Sequence, residues 1–170
     1  MKALTICAAL LLSIPNISGA ASPTNLKPAV SLQLGSVTVW LGMPEAQALT
    51  ELRRAGLQVV SKANEGKTIF TDGHSFYSVA FKGDSVVYAD REWLLSQKDE
   101  ISAVLGALST IAPRGATPCT VHHAQVSNPA LQADRVFVHC GTKSVLITKE
   151  KEPGTDAVLT DVYEFIGTYV

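Results

Sequence analysis

The sequence predicts an α+β protein built from two helix-plus-antiparallel-meander units in tandem, with the helices packed on antiparallel sheet. Three observations predict it. Two segments carry apolar residues at helical spacing, each is followed by a run of short strand candidates, and the breaks between those candidates hold Gly, Asn and Asp. The units span residues 35–93 and 94–170, or fold together as one compact domain over 35–170.

The chain opens on an export signal. Met1 and Lys2 give a short positive start, Ala3 to Ile14 form an uncharged apolar run, and Ser18-Gly19-Ala20 place small side chains where a signal peptidase reads. Cleavage after Ala20 is expected, with Ala21 as the second choice. The apolar run is too short to cross a bilayer core, which takes about 20 residues as a helix. Cys7 lies inside that run and leaves with it, so no lipid anchor is expected. Residues 21–34 read as a flexible leader, polar at first and carrying Pro23 and Pro28.

The first unit begins with a strand over Val37 to Leu41. Gly42-Met43-Pro44 then turns the chain into a helix from Pro44 to Arg54. Proline opens it, Glu45 complements its first turn, Arg53 and Arg54 its last, and Gly56 stops it. Ala48, Leu49, Leu52 and Ala55 form the apolar stripe. Strands follow over Leu57–Ser61, Lys67–Thr71, Ser75–Phe81 and Ser85–Glu92, separated by Asn64-Glu65-Gly66, Asp72-Gly73 and Gly83-Asp84. Around the last turn Phe81 should pair with Val86 and Val79 with Tyr88, facing the core. The opposite side carries Phe76, Ser78, Ala80, Val87, Ala89 and Arg91, and is apolar enough to need a cover or a partner.

The second unit opens with a helix capped by Ser96 and supported by Asp99. Ile101, Val104, Leu105, Leu108 and Ile111 supply its stripe until Pro113 and Gly115 end it. Strands are expected over Ala116–Val126, Asp134–Cys140, Lys143–Lys149 and Ala157–Phe165. A symmetric hairpin around Ser127-Asn128-Pro129-Ala130 sets Cys119 opposite Cys140, with Val121, His123, Val136 and Val138 on the same face. With Cys7 removed, these are the only cysteines left of three, in a compartment that permits disulfides, so a bond is expected; the alternative is two buried thiols.

Charge excludes one class of partner. Loss of residues 1–20 removes one of 14 Lys and Arg and none of 15 Asp and Glu, leaving a mixed, near-neutral chain without the basic stripe that phosphate contacts require. Nucleic acid is not an expected partner. Lys149-Glu150-Lys151-Glu152 reads as a solvated strand end whose alternating charges discourage edge pairing.

Val39-Trp40-Leu41-Gly42-Met43-Pro44-Glu45-Ala46, with Leu49, Leu52 and Gly56, resembles the opening of the small outer-membrane assembly modules of the SmpA/OmlA (BamE) type. In those modules a strand reaches a Gly-Met pair, a helix follows and a meander closes the unit. Tandem units of this kind also resemble the beta-lactamase inhibitory protein fold. The resemblance covers about 60 residues and implies a non-enzymatic module that binds other proteins through its sheet or loops. This chain departs from the assembly lipoproteins in having no lipidated cysteine at the cleavage point.

Enzyme signatures are missing. The sequence has no G-x-S-x-G, H-E-x-x-H, C-x-x-C, phosphate-binding glycine loop or calcium-loop spacing, so no enzyme and no cofactor is expected. His74 beside Asp72 and Ser75 is turn chemistry, because neighbours this close in sequence cannot align as a triad. His122 and His139 fall on one hairpin face as diagonal neighbours and are the only metal candidates, with Asp134 or Asp161 as distant third ligands. The plainer reading makes them strand histidines.

Two functions follow as expectations. One is an exported, periplasmic or secreted module that binds another envelope or extracellular protein, with Phe76, Val87 and Trp93 as its candidate face. The other is a small-ligand or metal-binding protein, or an unfamiliar enzyme, built on the His122/His139 hairpin. Oligomeric state is not legible.

Overall fold

Leu32 and Leu34, which fall in the expected leader, are buried core residues of a computed structural model that describes residues 30–62, 66–93, 100–112, 118–128, 131–151, 154 and 156–168. The expected export signal, the first residues of the expected leader, the expected Ser96 and Asp99 cap, Pro113 and Gly115, and the Pro129-Ala130 turn lie outside the described residues. Ser31–Leu34 (β1) and Val37–Trp40 (β2) form an antiparallel hairpin, so the leader expected over 21–34 is corrected at its end. Alternation explains the strand. Leu32, Leu34, Val37 and Val39 all point one way and are all buried.

Glu45–Arg54 (α1) follows, with Pro44 at its N-cap and Ala48 and Leu52 buried. The Gly-Met pair before it has a concrete task. Gly42 N–H donates to Val86 O at 2.8 Å, and Val86 N–H returns a bond to Met43 O at 2.9 Å, so the loop is stitched to the sheet while Met43 is buried. Gly42 has φ +83°, a conformation side chains resist.

Four strands then run as a meander: Gln58–Lys62 (β3), Lys67–Thr71 (β4), Phe76–Lys82 (β5) and Ser85–Glu92 (β6). Phe81 pairs with Val86 as expected. A bulge between Ala80 and Phe81 then shifts the register, so that Val79 meets Ala89 and Ala80 meets Tyr88. The expected Val79–Tyr88 pairing is corrected, and with it the sides: Ala89 and Arg91 share a face with Tyr77 and Val79, and Tyr88 joins Ala80 on the other. One extra residue on one strand inverts everything beyond it.

Glu100–Ile111 (α2) leads into Cys119–Asn128 (β7), Leu131–Cys140 (β8), Lys143–Lys151 (β9) and Val158–Gly167 (β10). The fold class is where the largest correction falls. The described chain is mostly strand with two short helices. Instead of two helix-plus-meander units, β3 to β10 make one eight-stranded antiparallel sheet in the order β3-β4-β5-β6-β10-β9-β8-β7, beside the two-stranded β1-β2 sheet. The joint is the pairing of β10 with β6, Tyr163 opposite Glu92 through Gly167 opposite Tyr88. Local periodicity carries no signal for a contact between segments this far apart in sequence.

The β1-β2 hairpin and α1 cover one end of one sheet face, burying Leu34, Met43, Leu52, Phe70 and Val79 together. Helix α2 covers the same face further along, over Val145, Val162 and Cys140. Between the two covers sits Glu164, fully buried. Its Oε2 accepts from Arg91 Nε at 2.8 Å and Nη2 at 2.5 Å, and Lys143 Nζ approaches Oε1 at 3.3 Å. A third apolar cluster, Ala80, Tyr88, Leu146 and Phe165, lies on the opposite face.

The packing of α2 differs from its expected stripe. Ala103, Ala107 and Ile111 are buried, whereas Ile101 and Leu105 stay 66% and 61% exposed. Val104, Leu108 and Ile111 of the expected stripe do pack against the sheet cluster. Trp93 lies so close to Gly106 that an added Cβ would be 3.1 Å from its ring, so small residues are needed there, while Ile101 and Leu105 fall on the exposed side.

Candidate functional site

The far end of the sheet is a long hairpin. β7 and β8 are ten residues each and pair without interruption from Cys119 opposite Cys140 to Asn128 opposite Leu131. This is the expected register, and it sets Val121, His123, Val136 and Val138 on the face that α2 also covers. The Cys119–Cys140 disulfide is formed. It fastens the first residue of β7 to the last residue of β8.

Among the described residues β7 is a sheet edge, hydrogen-bonded to β8 on one side only. Nearly all of it is exposed, Val121 to 65%. Sheet edges are ordinarily blunted by charge, proline, a bulge or shortness. Cys119 to Asn128 contains no Lys, Arg, Asp, Glu, Pro or Gly, and its ladder has no bulge. The opposite edge is managed in the usual way, since β3 has five residues and a bulge between Val59 and Ser61.

The hairpin histidines separate by face. His122 and His139 are diagonal neighbours with ring centroids 5.8 Å apart, as the register predicts. His139 Nδ1 lies 2.6 Å from Ser144 Oγ, stacks on Phe137 and meets Phe165 edge-on, so its ring is already held by packing. Asp134 is on the other face, where it accepts from Gln125 Nε2 at 2.9 Å and lies 3.5 Å from His123 Nε2. Asp161 occupies another cross-strand row, opposite Thr148. Among the described residues no three His, Cys, Asp or Glu converge as metal ligands.

Of the three residues expected to share an interaction face, Phe76 and Val87 lie on the face opposite the helices and Trp93 lies apart from them. Trp93 packs under α2 against Gly106, with the Arg91 guanidinium 4.6 Å from its ring centroid. Phe76 is exposed on the opposite face, and Val87 packs beside the Tyr88 and Phe165 cluster. His74 and Ser75 are turn residues: both donate backbone N–H bonds to Asp72 Oδ1, at 2.9 and 2.8 Å, and Tyr77 OH donates to Oδ2. The His74 bond is the chief reason the Asp72 carboxyl is held below its ordinary value.

Periodicity does not announce a run of carboxylates on the sheet face opposite the helices. Burial pushes Asp90 above its ordinary value, against hydrogen bonds from Tyr88 and Ser78 and the charge of Lys67. Glu92 is raised by burial and then by Asp161 and Asp90, and Asp161 by burial and then by Glu150. Strand alternation would have found the shared face once the β6–β10 register was known.

Two shallow cavities flank the hairpin. One is polar and open, between Gln125, Gln132, Lys151 and Val158. The other is an apolar groove of about 380 Å³ between the exposed edge of α2 and β8 and β9. No helix among the described residues is long and apolar enough to cross a membrane. Comparison with protein-family models, with curated proteins and with solved structures finds no match.

Proposed function

We propose that this chain is an exported, non-enzymatic interaction module that binds another envelope or extracellular protein by accepting an extended segment along β7. One observation carries the reading: a ten-residue, exposed edge strand without charge, proline or bulge, in a sheet whose other edge is short and bulged. An added strand gains main-chain hydrogen bonds along such an edge, and alternate side chains on each face supply specificity. The disulfide supports the reading from a second direction, because a strand fastened at one end loses less freedom when a partner docks. The resemblance of residues 39–56 to protein-binding assembly modules points the same way.

The test is the variant Val121→Lys/Ala124→Asp, which places a charge on each face of β7 at exposed positions and leaves the β8 ladder intact. The wild-type protein is expected to recover a partner from its native envelope fraction and to gain amide-exchange protection along β7 in the complex. The variant is expected to keep its melting temperature and lose both. Retention of the same partner by the variant, or protection elsewhere than β7, counts against the reading. A second copy of this chain as the recovered partner would assign the edge to self-association.

A further inference from the structure

The disulfide end of the β7-β8 hairpin brings two imidazoles together on the sheet face opposite the helices. His122 is exposed on β7 and His139 half-buried on β8, as diagonal neighbours whose ring centroids are 5.8 Å apart and whose planes meet at 59°. Metal–nitrogen bonds of about 2 Å put two imidazoles of one tetrahedral ion at a centroid spacing of about 5 Å. A small rotation of the exposed His122 ring closes the difference. His123, the neighbour in sequence, lies on the other face beside Asp134.

The surroundings of His139 already hold it as a ligand is held. Its Nδ1 lies 2.6 Å from Oγ of the buried Ser144, while Phe137 stacks on the ring and Phe165 meets it edge-on. When Nδ1–H donates to that hydroxyl, the lone pair is left on Nε2. Nε2 makes no hydrogen bond among the described residues and is not sealed from solvent. The Cys119–Cys140 bond, next in sequence to His139, fastens the two strands that carry the pair.

We propose that His122 and His139, the latter through Nε2, bind one late first-row divalent cation of the Zn²⁺, Ni²⁺ and Cu²⁺ group, with water completing its shell. Among the described residues no third His, Cys, Asp or Glu converges on the pair. Two neutral imidazoles without a carboxylate select these ions over Ca²⁺ and Mg²⁺, which take oxygen ligands. Ser144 is a positioning residue: it fixes the tautomer and the orientation of the His139 ring. The ion sits on the sheet face and not in the line of the edge hydrogen bonds, so its binding does not depend on strand addition along β7.

The purified, disulfide-bonded protein, labelled with ¹⁵N, is titrated with zinc chloride in a non-coordinating buffer and followed by calorimetry and by the ¹H–¹⁵N spectra of its imidazoles. One equivalent of Zn²⁺ is expected to bind, shifting His122 and the Nε2 of His139 while the Nδ1 of His139 keeps its proton. Cu²⁺ should bind more tightly than Zn²⁺, and Ca²⁺ should not bind. His122→Gln, at an exposed position, and His139→Gln should each weaken Zn²⁺ at least about tenfold. Ser144→Ala should weaken it about tenfold and let the His139 proton exchange between both ring nitrogens. His123→Gln should change nothing. Absent heat and shifts, coordination through Nδ1 of His139, an equal loss in His123→Gln, or an unchanged affinity in any of the other three variants overturns the proposal.

Discussion

Removing Arg91 should cost far more than neutralising its partner Glu164, although the two belong to one ion pair. Glu164 keeps 1% of its side-chain surface, whereas Arg91 keeps 25% and Lys143 32%. In Arg91→Met the carboxylate stays buried with Lys143 alone, at 3.3 Å. Breaking a buried pair in this way costs about 3 to 5 kcal/mol, and the surviving lysine places the expected loss near the lower figure. Loss of the guanidinium over Trp93 adds about 0.5 to 1 kcal/mol. In Glu164→Gln the amide oxygen still accepts from Arg91 and both cations can turn to water, so about 1 to 2 kcal/mol is expected. The double variant Arg91→Met/Glu164→Leu removes both charges of this pair and should recover at least about 2 kcal/mol relative to Arg91→Met. Urea unfolding at pH 7 reads these values from the midpoint at constant m. An Arg91→Met loss no larger than that of Glu164→Gln, or a double variant whose losses simply add, would refute the reasoning.

Asp90→Asn should raise the urea midpoint at neutral pH. The Asp90 carboxyl is pushed above 3.8 by burial, so it adds no penalty where both folded and unfolded chains are protonated and destabilises the fold as pH rises through its folded value. The gain in Asp90→Asn should therefore vanish as the pH is lowered into the ordinary carboxylate range. Gly167→Ala should destabilise by at least about 3 kcal/mol, since a Cβ there would strike Val87 O in the neighbouring strand backbone at φ +86°. Gly42→Ala, at φ +83° in open space, should cost only about 1 to 2 kcal/mol, and paired thermal melts separate the two. Replacing Cys119 and Cys140 by serine should cost about 3 kcal/mol for residues 21 apart in sequence, read by chemical unfolding beside a thiol titration of the unreduced wild type.

Elements whose cause is local were legible. Pro44, Glu45 and Arg54 mark α1 to within a residue, and the symmetry of the Ser127–Ala130 loop brings Cys119 opposite Cys140. Elements decided at a distance were not. β1 follows a proline-bearing polar stretch and becomes a strand because Leu32 and Leu34 find Met43 and Phe70 in the core. The α2 stripe holds for Val104, Leu108 and Ile111 and fails for Ile101 and Leu105, because hydrophobic periodicity ranks these above Ala103 and Ala107, which take the buried positions. The bulge at Ala80 has no turn residue to signal it. Of the candidate sites, the hairpin register and the diagonal His122/His139 pair could be read directly. The bare β7 edge was written in the sequence as an absence of charge, but it acquires meaning only once the sheet order leaves that strand outermost.

The position of β10 bears on when the fold can form. The last strand in chain order lies in the middle of the sheet, between β6 and β9, and supplies Glu164 to Arg91. While residues 158–167 are unmade, the β6 flank lacks its neighbour and the Arg91 guanidinium its acid. Contacts between distant segments also form slowly, because the intervening chain must be closed first. Until β10 joins the sheet, a chain of this design stays open along the β6 and β9 flanks.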